Sequence, residues 1–304
     1  MSNIFISGIT GRSGRYLGKK LIETHNTNQN KIIALVRNQE KFNNLFGKQN
    51  IIKCKVGDIS DNAAITDIFI TEKIDTVFHI YNIKHSINIV NAALKSNYVK
   101  RLILVHTTGI YSKYKSASSE YLEIESTVKK LLEGSNISLT ILRPTMIYGS
   151  LDDKNISTFI GLVDKFRIFP IVNGGKYELQ PVNHIDLGNA YYQVLTNPEK
   201  TKNKNYTLSG GTVIYLKDIL ENISKFLGKK TLFISIPFGL AYAISKFVYI
   251  LSFKKIDYRE RVQRLVEPRA YDHNDATADF GYSPIEFLIG LEREVNLYLN
   301  SKSK

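Results

Sequence analysis

The segment Ser7-Gly8-Ile9-Thr10-Gly11-Arg12-Ser13-Gly14 constrains this chain more than any other stretch. It follows the short apolar run Ile4–Ser7 and precedes the helical pattern Tyr16–Thr24. A G-x-x-G-x-x-G string between a first strand and a first helix turns tightly, lets the backbone approach an anion and aims a helix N-terminus at it. Gly8, Gly11, Arg12, Ser13 and Gly14 are therefore candidate contacts to the pyrophosphate of a dinucleotide.

The first half keeps the rhythm such a cradle requires. Apolar runs at Lys31–Val36, Ile51–Lys55, Thr76–Ile80, Leu102–His106 and Leu139–Leu142 read as buried strands. Asp61–Thr71, Ser86–Ser96 and Glu120–Glu133 carry helical spacing between them. Near-continuous apolar strands separated by helices specify a parallel sheet covered on both faces, an α/β doubly wound (Rossmann) fold. After Gly149 the pattern loosens into helices near Asn155–Arg167, Asp186–Thr196, Leu216–Leu227 and Pro284–Leu299, with short strands near Tyr206–Leu208 and Thr231–Ile236. We read 1–150 as a dinucleotide-binding domain and 151–304 as a smaller substrate lobe, with elements of the two free to interleave.

The tip of the second strand chooses the cofactor. An acid there binds a ribose 2′-hydroxyl, whereas arginine nearby accommodates a 2′-phosphate. Here the strand ends in Arg37-Asn38, and Arg12 lies in the glycine loop, so NADP(H) is preferred over NAD(H).

Charge bears on partners. The net charge of +13 is spread, with 20 basic and 12 acidic groups in 1–152 against 21 and 16 in 153–304. Compositional drift, an anionic small molecule, and a polyanion or membrane surface all remain as readings; drift is favoured because like charges never run in a block. No aromatic-interleaved basic strip supports nucleic acid as a partner. The stretch Phe238–Phe253 is the most membrane-like. As a helix it would span about 24 Å, short of the ~30 Å hydrocarbon core, and Lys246 interrupts it. It reads as a buried helix of the second lobe rather than an interfacial one, so membrane-surface association is not expected. The single cysteine, Cys54, and an N-terminus without a basic n-region fit a cytoplasmic protein. The histidines at positions 25, 79, 85, 106, 184 and 273 show no H-x-x-x-H spacing, so no metal site is expected.

Several motifs together resemble the extended or atypical short-chain dehydrogenase/reductases, the NAD-dependent epimerase/dehydratase group acting on nucleotide sugars. The resemblance covers most of the chain. After the glycine loop come Val56-Gly57-Asp58-Ile59-Ser60-Asp61 behind strand three, Val77-Phe78-His79-Ile80 as strand four, and Asn88-Ile89-Val90-Asn91-Ala92-Ala93 in the next helix. Arg143-Pro144-Thr145-Met146-Ile147-Tyr148-Gly149 is similar to the family's turn after strand six. Val182-Asn183-His184-Ile185-Asp186-Leu187 and Asp279-Phe280-Gly281-Tyr282-Ser283-Pro284 match later landmarks. The resemblance implies that Asp58 and Ile59 flank the adenine and that Ile80, Tyr81 and Pro144 also contact the cofactor.

In that family a Ser or Thr after strand five, a Tyr, and a Lys four residues on carry the chemistry. Thr107 or Thr108 holds the hydroxyl position, and counting back from Arg143 puts Tyr121 at the tyrosine. Glu125 then stands where the lysine belongs; a carboxylate there disfavours an ionised phenol. Lys129 lies about 12 Å of helical rise from Tyr121, too far to replace it. Tyr111-Ser112-Lys113-Tyr114-Lys115 has Y-x-x-x-K spacing, but in the loop after strand five; Tyr111 or Tyr114 could donate a proton only if that loop folded over the nicotinamide. Arg143, Asn183 and the Arg259–Arg269 stretch are candidate walls or diphosphate contacts. The resemblance implies an NAD(P)-dependent reductase or epimerase acting on a nucleotide-linked sugar in bacterial surface-polysaccharide synthesis. Glu125 keeps open the alternative of a non-catalytic NADP(H)-binding sensor or assembly subunit. The sugar, the direction of hydride transfer and a homodimeric state are left open.

Overall fold

Five apolar strands of the first half alternate the faces they bury, which is why they read as continuous apolar runs. The computed structural model describes residues 2–24, 30–47 and 49–303. Its first half runs β1 (Ser2–Ser7), α1 (Gly14–Glu23), β2 (Asn30–Val36), α2 (Gln39–Phe46), β3 (Ile52–Val56), α3 (Asn62–Thr71), β4 (Thr76–His79), α4 (Ser86–Ser96), β5 (Arg101–Val105), α5 (Lys115–Leu132) and β6 (Ser138–Pro144). The second half begins with β7 (Ile147–Tyr148), α6 (Ile156–Lys165), β8 (Ile168–Val172), β9 (Glu178–Leu179), β10 (Val182–Asn183), α7 (His184–Thr196) and α8 (Pro198–Thr201). It continues through β11 (Asn205–Leu208), β12 (Ile214–Tyr215), α9 (Leu216–Phe226), β13 (Leu232–Ile236), α10 (Phe238–Leu251), α11 (Arg259–Arg264), α12 (Asn274–Phe280) and α13 (Phe287–Lys302).

Seven strands form one parallel sheet in the order β11-β6-β5-β4-β1-β2-β3. Ile4 and Ile6 of β1 pack with Ile32, Ala34 and Val36 of β2 on one face; Phe5, Ile33 and Leu35 pack on the other. Helices α1 and α7 cover the first face, and α3, α4 and α5 the second. Strand order reverses between β1 and β4, where open α/β sheets bind ligands at their carboxyl edge.

The two halves interleave. Strand β11 pairs with β6, and Leu187, Ala190, Tyr191 and Val194 of α7 enter the core beneath β1 and β5. Arg101 on β5 is buried and donates to the carbonyls of Leu195 (3.0 Å) and Val194 (2.7 Å) and to Thr201 Oγ1 (2.8 Å), all supplied by the second half. A separate core joins α6, α9 and α13 around Ile160, Ile219, Leu220 and Leu291.

Three expectations need correction. Strand β3 is not a buried strand: it forms the edge of the sheet, and Ile52 alone within it is buried. Helix α2 was not foreseen; Asn38 caps it, its Oδ1 accepting from Lys41 N–H at 2.8 Å. Helix α10 is not buried: within it only Ala241 and Ser245 are, the first in a small cluster with Val172, Ile236, Val262 and Val266. Among the described residues no helix is long and apolar enough to cross a membrane.

Candidate functional site

The glycine loop is built so that its backbone has no room for side chains. Gly8 has φ +85°, and a Cβ there would lie 2.7 Å from the Tyr81 backbone nitrogen. A Cβ on Gly14 would lie 2.3 Å from the Gly8 carbonyl oxygen. Gly11 N–H closes the turn onto Gly8 O at 3.0 Å, and α1 starts at Gly14. The strand ends β1 and β4 thus touch at the switch point, and the loop presents bare backbone to the crevice, as a pyrophosphate requires.

A cavity of about 400 Å³ opens there. Of the residues expected at a cofactor, Gly8, Gly11, Arg12, Ser13, Arg37, Ile59, Ile80 and Tyr81 line it. Three expected residues do not line it. Gly14 packs behind the turn. Asp58 accepts from Ser60 N–H and Oγ–H at 2.8 and 2.6 Å, which hold its carboxyl below the usual range. Pro144 meets the site through its carbonyl, which accepts from Thr108 Oγ1 at 3.2 Å. Sequence reasoning missed Arg15 and Lys41 on the wall, the second because α2 was missed.

The cavity's charge is mostly positive. Arg37 stacks over the Tyr81 ring (5.5 Å), whose own ring lies 5.4 Å from that of His85. Arg12 is tied to Asp152, through Nε at 3.5 Å and through Nη2 to the backbone carbonyl, which bridges the loop to the second half. Asn38, being the cap of α2, leaves Arg37 as the polar side chain at the β2 tip that faces the cavity.

A second chamber of about 280 Å³ shares Arg12 and Ile147 with the first. Thr107, Thr108 and Thr145 form one wall, Arg264 and Arg269 another. Thr107 Oγ1 accepts from Gly109 N–H at 3.0 Å, leaving its own proton to donate. Thr108 and Thr145 spend theirs on the carbonyls of Pro144 and Gln180. Arg264 and Arg269 each hold a buried Nε with no hydrogen-bond partner among the described residues. Burial, then the neighbouring Arg264 charge, brings Arg269 down to about 10.

The expected tyrosine is elsewhere. Tyr121 is half-buried, packs with the apolar cluster beneath α4 and α5, and sets its ring against Gly109; it lines neither chamber. Glu125 is buried and heavily partnered. Arg143 grips it with Nε (3.2 Å) and Nη2, Lys129 Nζ reaches it at 3.0 Å, and His106 Nδ1 at 3.2 Å. Burial pushes the Glu125 carboxyl up, but the bonds from His106 and Arg143 outweigh it and hold the carboxyl far below its usual range. Arg143 Nη1 also donates to Tyr111 Oη at 3.3 Å. Arg143 is therefore an internal partner of Glu125 rather than a cavity wall, and Asn183 caps α7 through Ile185 N–H. Tyr111 ends a 3₁₀ turn and Tyr114 immediately precedes α5 without a side-chain capping bond; neither lines either chamber, and the Lys115 side chain lies outside the described residues. Among the described residues no three His, Cys, Asp or Glu side chains gather as a metal site; His25 lies outside them.

A family model described as NAD(P)H-binding matches residues 8–165, just over half of the chain. The chain belongs to the NAD(P)H-binding family. This NAD(P)H-binding chain has the fold of the NAD-dependent epimerases and dehydratases over almost its whole length. It is similar to UDP-glucose 4-epimerase from Thermotoga maritima with UDP-glucose (16% identity, 99% of each chain, TM-score 0.73). It is also similar to dTDP-glucose 4,6-dehydratase from Bacillus anthracis in complex with NAD (14%, 100% of this chain and 98% of that one, TM-score 0.74). UDP-glucuronic acid 4-epimerase from Bacillus cereus, with UDP-glucuronic acid and NAD, matches at 15% identity, 98% and 99% coverage and a TM-score of 0.75. Among curated proteins, the mitochondrial NADH dehydrogenase [ubiquinone] 1 alpha subcomplex subunit 9 of Arabidopsis thaliana is 23% identical over 130 residues. Those residues are 43% of this chain and about a third (32%) of that relative.

Proposed function

We propose that this NAD(P)H-binding chain is an NADP(H)-dependent reductase or epimerase acting on a nucleotide-linked sugar. The observation that carries the reading is the pair of adjacent chambers that share Arg12 and Ile147, one on the glycine cradle and the other lined by Thr107, Arg264 and Arg269. A dinucleotide seated against Gly8, Gly11, Ser13, Ile59, Ile80 and Tyr81 would supply hydride chemistry at its nicotinamide end. Arg37, with Arg15 and Lys41 on the same wall and the second-strand tip free of acid, supports a preference for NADP(H). The paired arginines of the second chamber suit a diphosphate, and the Thr107 hydroxyl suits a substrate oxygen. With Glu125 bound to Arg143 where the family places its lysine, one-way ketone reduction is favoured over reversible epimerisation, since one proton donor then suffices. The sugar-nucleotide enzymes that share the fold support the substrate class, and a role in surface-polysaccharide synthesis rests on that class alone.

The test is to incubate the protein with NADPH and a panel of nucleotide 4-keto-sugars while following nicotinamide absorbance, alongside Arg37→Glu. Turnover is expected on at least one sugar, with Arg37→Glu weakening NADPH binding far more than NADH binding. Equal losses for both cofactors would refute the preference. NADPH binding without turnover would favour the second reading, a non-catalytic sensor or assembly subunit. The observation that recommends that reading is Glu125, locked to Arg143 where a lysine would serve catalysis.

A further inference from the structure

Helix α10 and the turn after it expose more large apolar side chains than any other segment of the chain. Leu240, Ile244, Phe247 and Leu251, 53%, 51%, 61% and 62% exposed, follow one another at spacings of four, three and four, so they form a single stripe. To one side of the stripe Ala241 is buried in a small cluster with Val172 and Val266, and Ser245, one turn on, is buried as well. Beyond the helix, Phe253 is 87% exposed, and its backbone sits in the left-handed region at φ 52°. The β8–β13 pair exposes further apolar side chains, Leu232 and Ile234 beside Ile168 and Pro170, and β13 runs through Pro237 directly into α10.

Charge identifies what such a face fits. Between Phe238 and Arg264 stand Lys246, Lys254, Lys255, Arg259, Arg261 and Arg264 against two acids. Both acids are matched internally, Asp257 to Arg259 at 2.7 Å and Glu260 to Arg264 at 3.9 Å. Lys246, Lys254 and Lys255 are exposed and have no ion-pair partner among the described residues. A second copy docked on this face would bring the same surplus of positive charge to it, with both of its acids already paired. A bilayer carrying acidic headgroups would meet apolar side chains with acyl chains and lysines with phosphates. At about 21 Å, the helix is suited to lie along such a surface.

We propose that α10 and the Phe253–Lys255 turn dock this protein on an anionic lipid bilayer, with the Leu240–Leu251 stripe inserted among the upper acyl chains. The expectation of a helix buried inside the lobe gives way to one held at an interface. The proposal does not depend on the reaction proposed above.

The test is co-sedimentation of the full chain with vesicles of phosphatidylcholine alone or mixed with phosphatidylglycerol. Binding is expected to the mixed vesicles, falling steeply with salt and absent from neutral ones. Lys254→Ala with Lys255→Ala should weaken it about thirtyfold. Phe247→Asp with Leu251→Asp should abolish it while leaving the melting curve unchanged, because both side chains are solvent-facing. No binding to mixed vesicles would overturn the proposal, as would binding indifferent to lipid charge and to the lysine substitutions. Sedimentation equilibrium provides the remaining arm: a dimer that the Phe247/Leu251 variant dissociates would assign the face to a second copy and likewise overturn it.

Discussion

Glu125 and Arg143 are 18 positions apart and make the chain's most consequential pair. Two charges taken from water together are stable only while both are present. Glu125→Gln should therefore leave the Arg143 guanidinium without a counter-charge and cost about 3–5 kcal/mol in denaturant unfolding. The acid limb of stability should change as well. Glu125's folded value lies below its unfolded one, so its contribution is present above the unfolded value and fades as pH falls through the acid range. The Gln variant should lose that part of the acid dependence; an unchanged pH profile would show the network to be idle. The sequence made Glu125 readable as a departure, because its distance from Arg143 along the chain can be counted. Its partners were not readable, since Arg143 arrives from β6 and His106 from the end of β5, contacts that no local pattern encodes. Thr107 and Thr108 illustrate the same divide: the pattern left both open, and only the hydrogen bonds separate the one with a free proton from the one committed to Pro144.

Among elements, those with a strong period were legible and the short or polar ones were not. The strands β1, β2 and β4 to β6 bury both faces and announce themselves as apolar runs, whereas β3, at the sheet edge, buries only Ile52. Helix α2 buries only Phe42 and so lacks a stripe, although its signals were present in the Asn38 cap and in Gly47, which ends it at φ +67°. Missing it hid Lys41 from the cofactor wall. The pairs β7–β10 and β9–β12 are two residues long, below the reach of any alternation. Helix α10 fails differently: a nearly all-apolar sequence says that water is disfavoured, not which neighbour replaces it. At the β1–α1 junction the local chemistry is decisive. Gly14→Ala would drive a methyl into the Gly8 carbonyl, so the turn must open. NADPH affinity should fall more than about tenfold in a fluorescence titration, since the backbone donors are then misplaced. Retained affinity would show that the loop does not hold the pyrophosphate.

For the molecule as a whole, both the chambers and the core draw on residues from either side of position 150. Residues 1–150 supply the cradle, but α7 and β11 complete the sheet and the layer over it. Expressed alone, 1–150 should give a compact state that binds a hydrophobic dye and melts without a cooperative transition, because Ile6, Ile103 and Leu142 lose their cover. A sharp thermal transition in that fragment would show instead a self-sufficient unit.

Arg101 carries this dependence into the order in which the protein is made. Arg101 opens β5 and is buried, yet its guanidinium finds its acceptors between Val194 and Thr201. A ribosome must therefore release roughly two thirds of the polypeptide before that charge can be housed, and until then the nascent sheet carries a hydrated arginine at the start of one of its strands. Translation speed through the stretch from α6 to α8 thus sets how long the half-made protein waits exposed to chaperones and proteases.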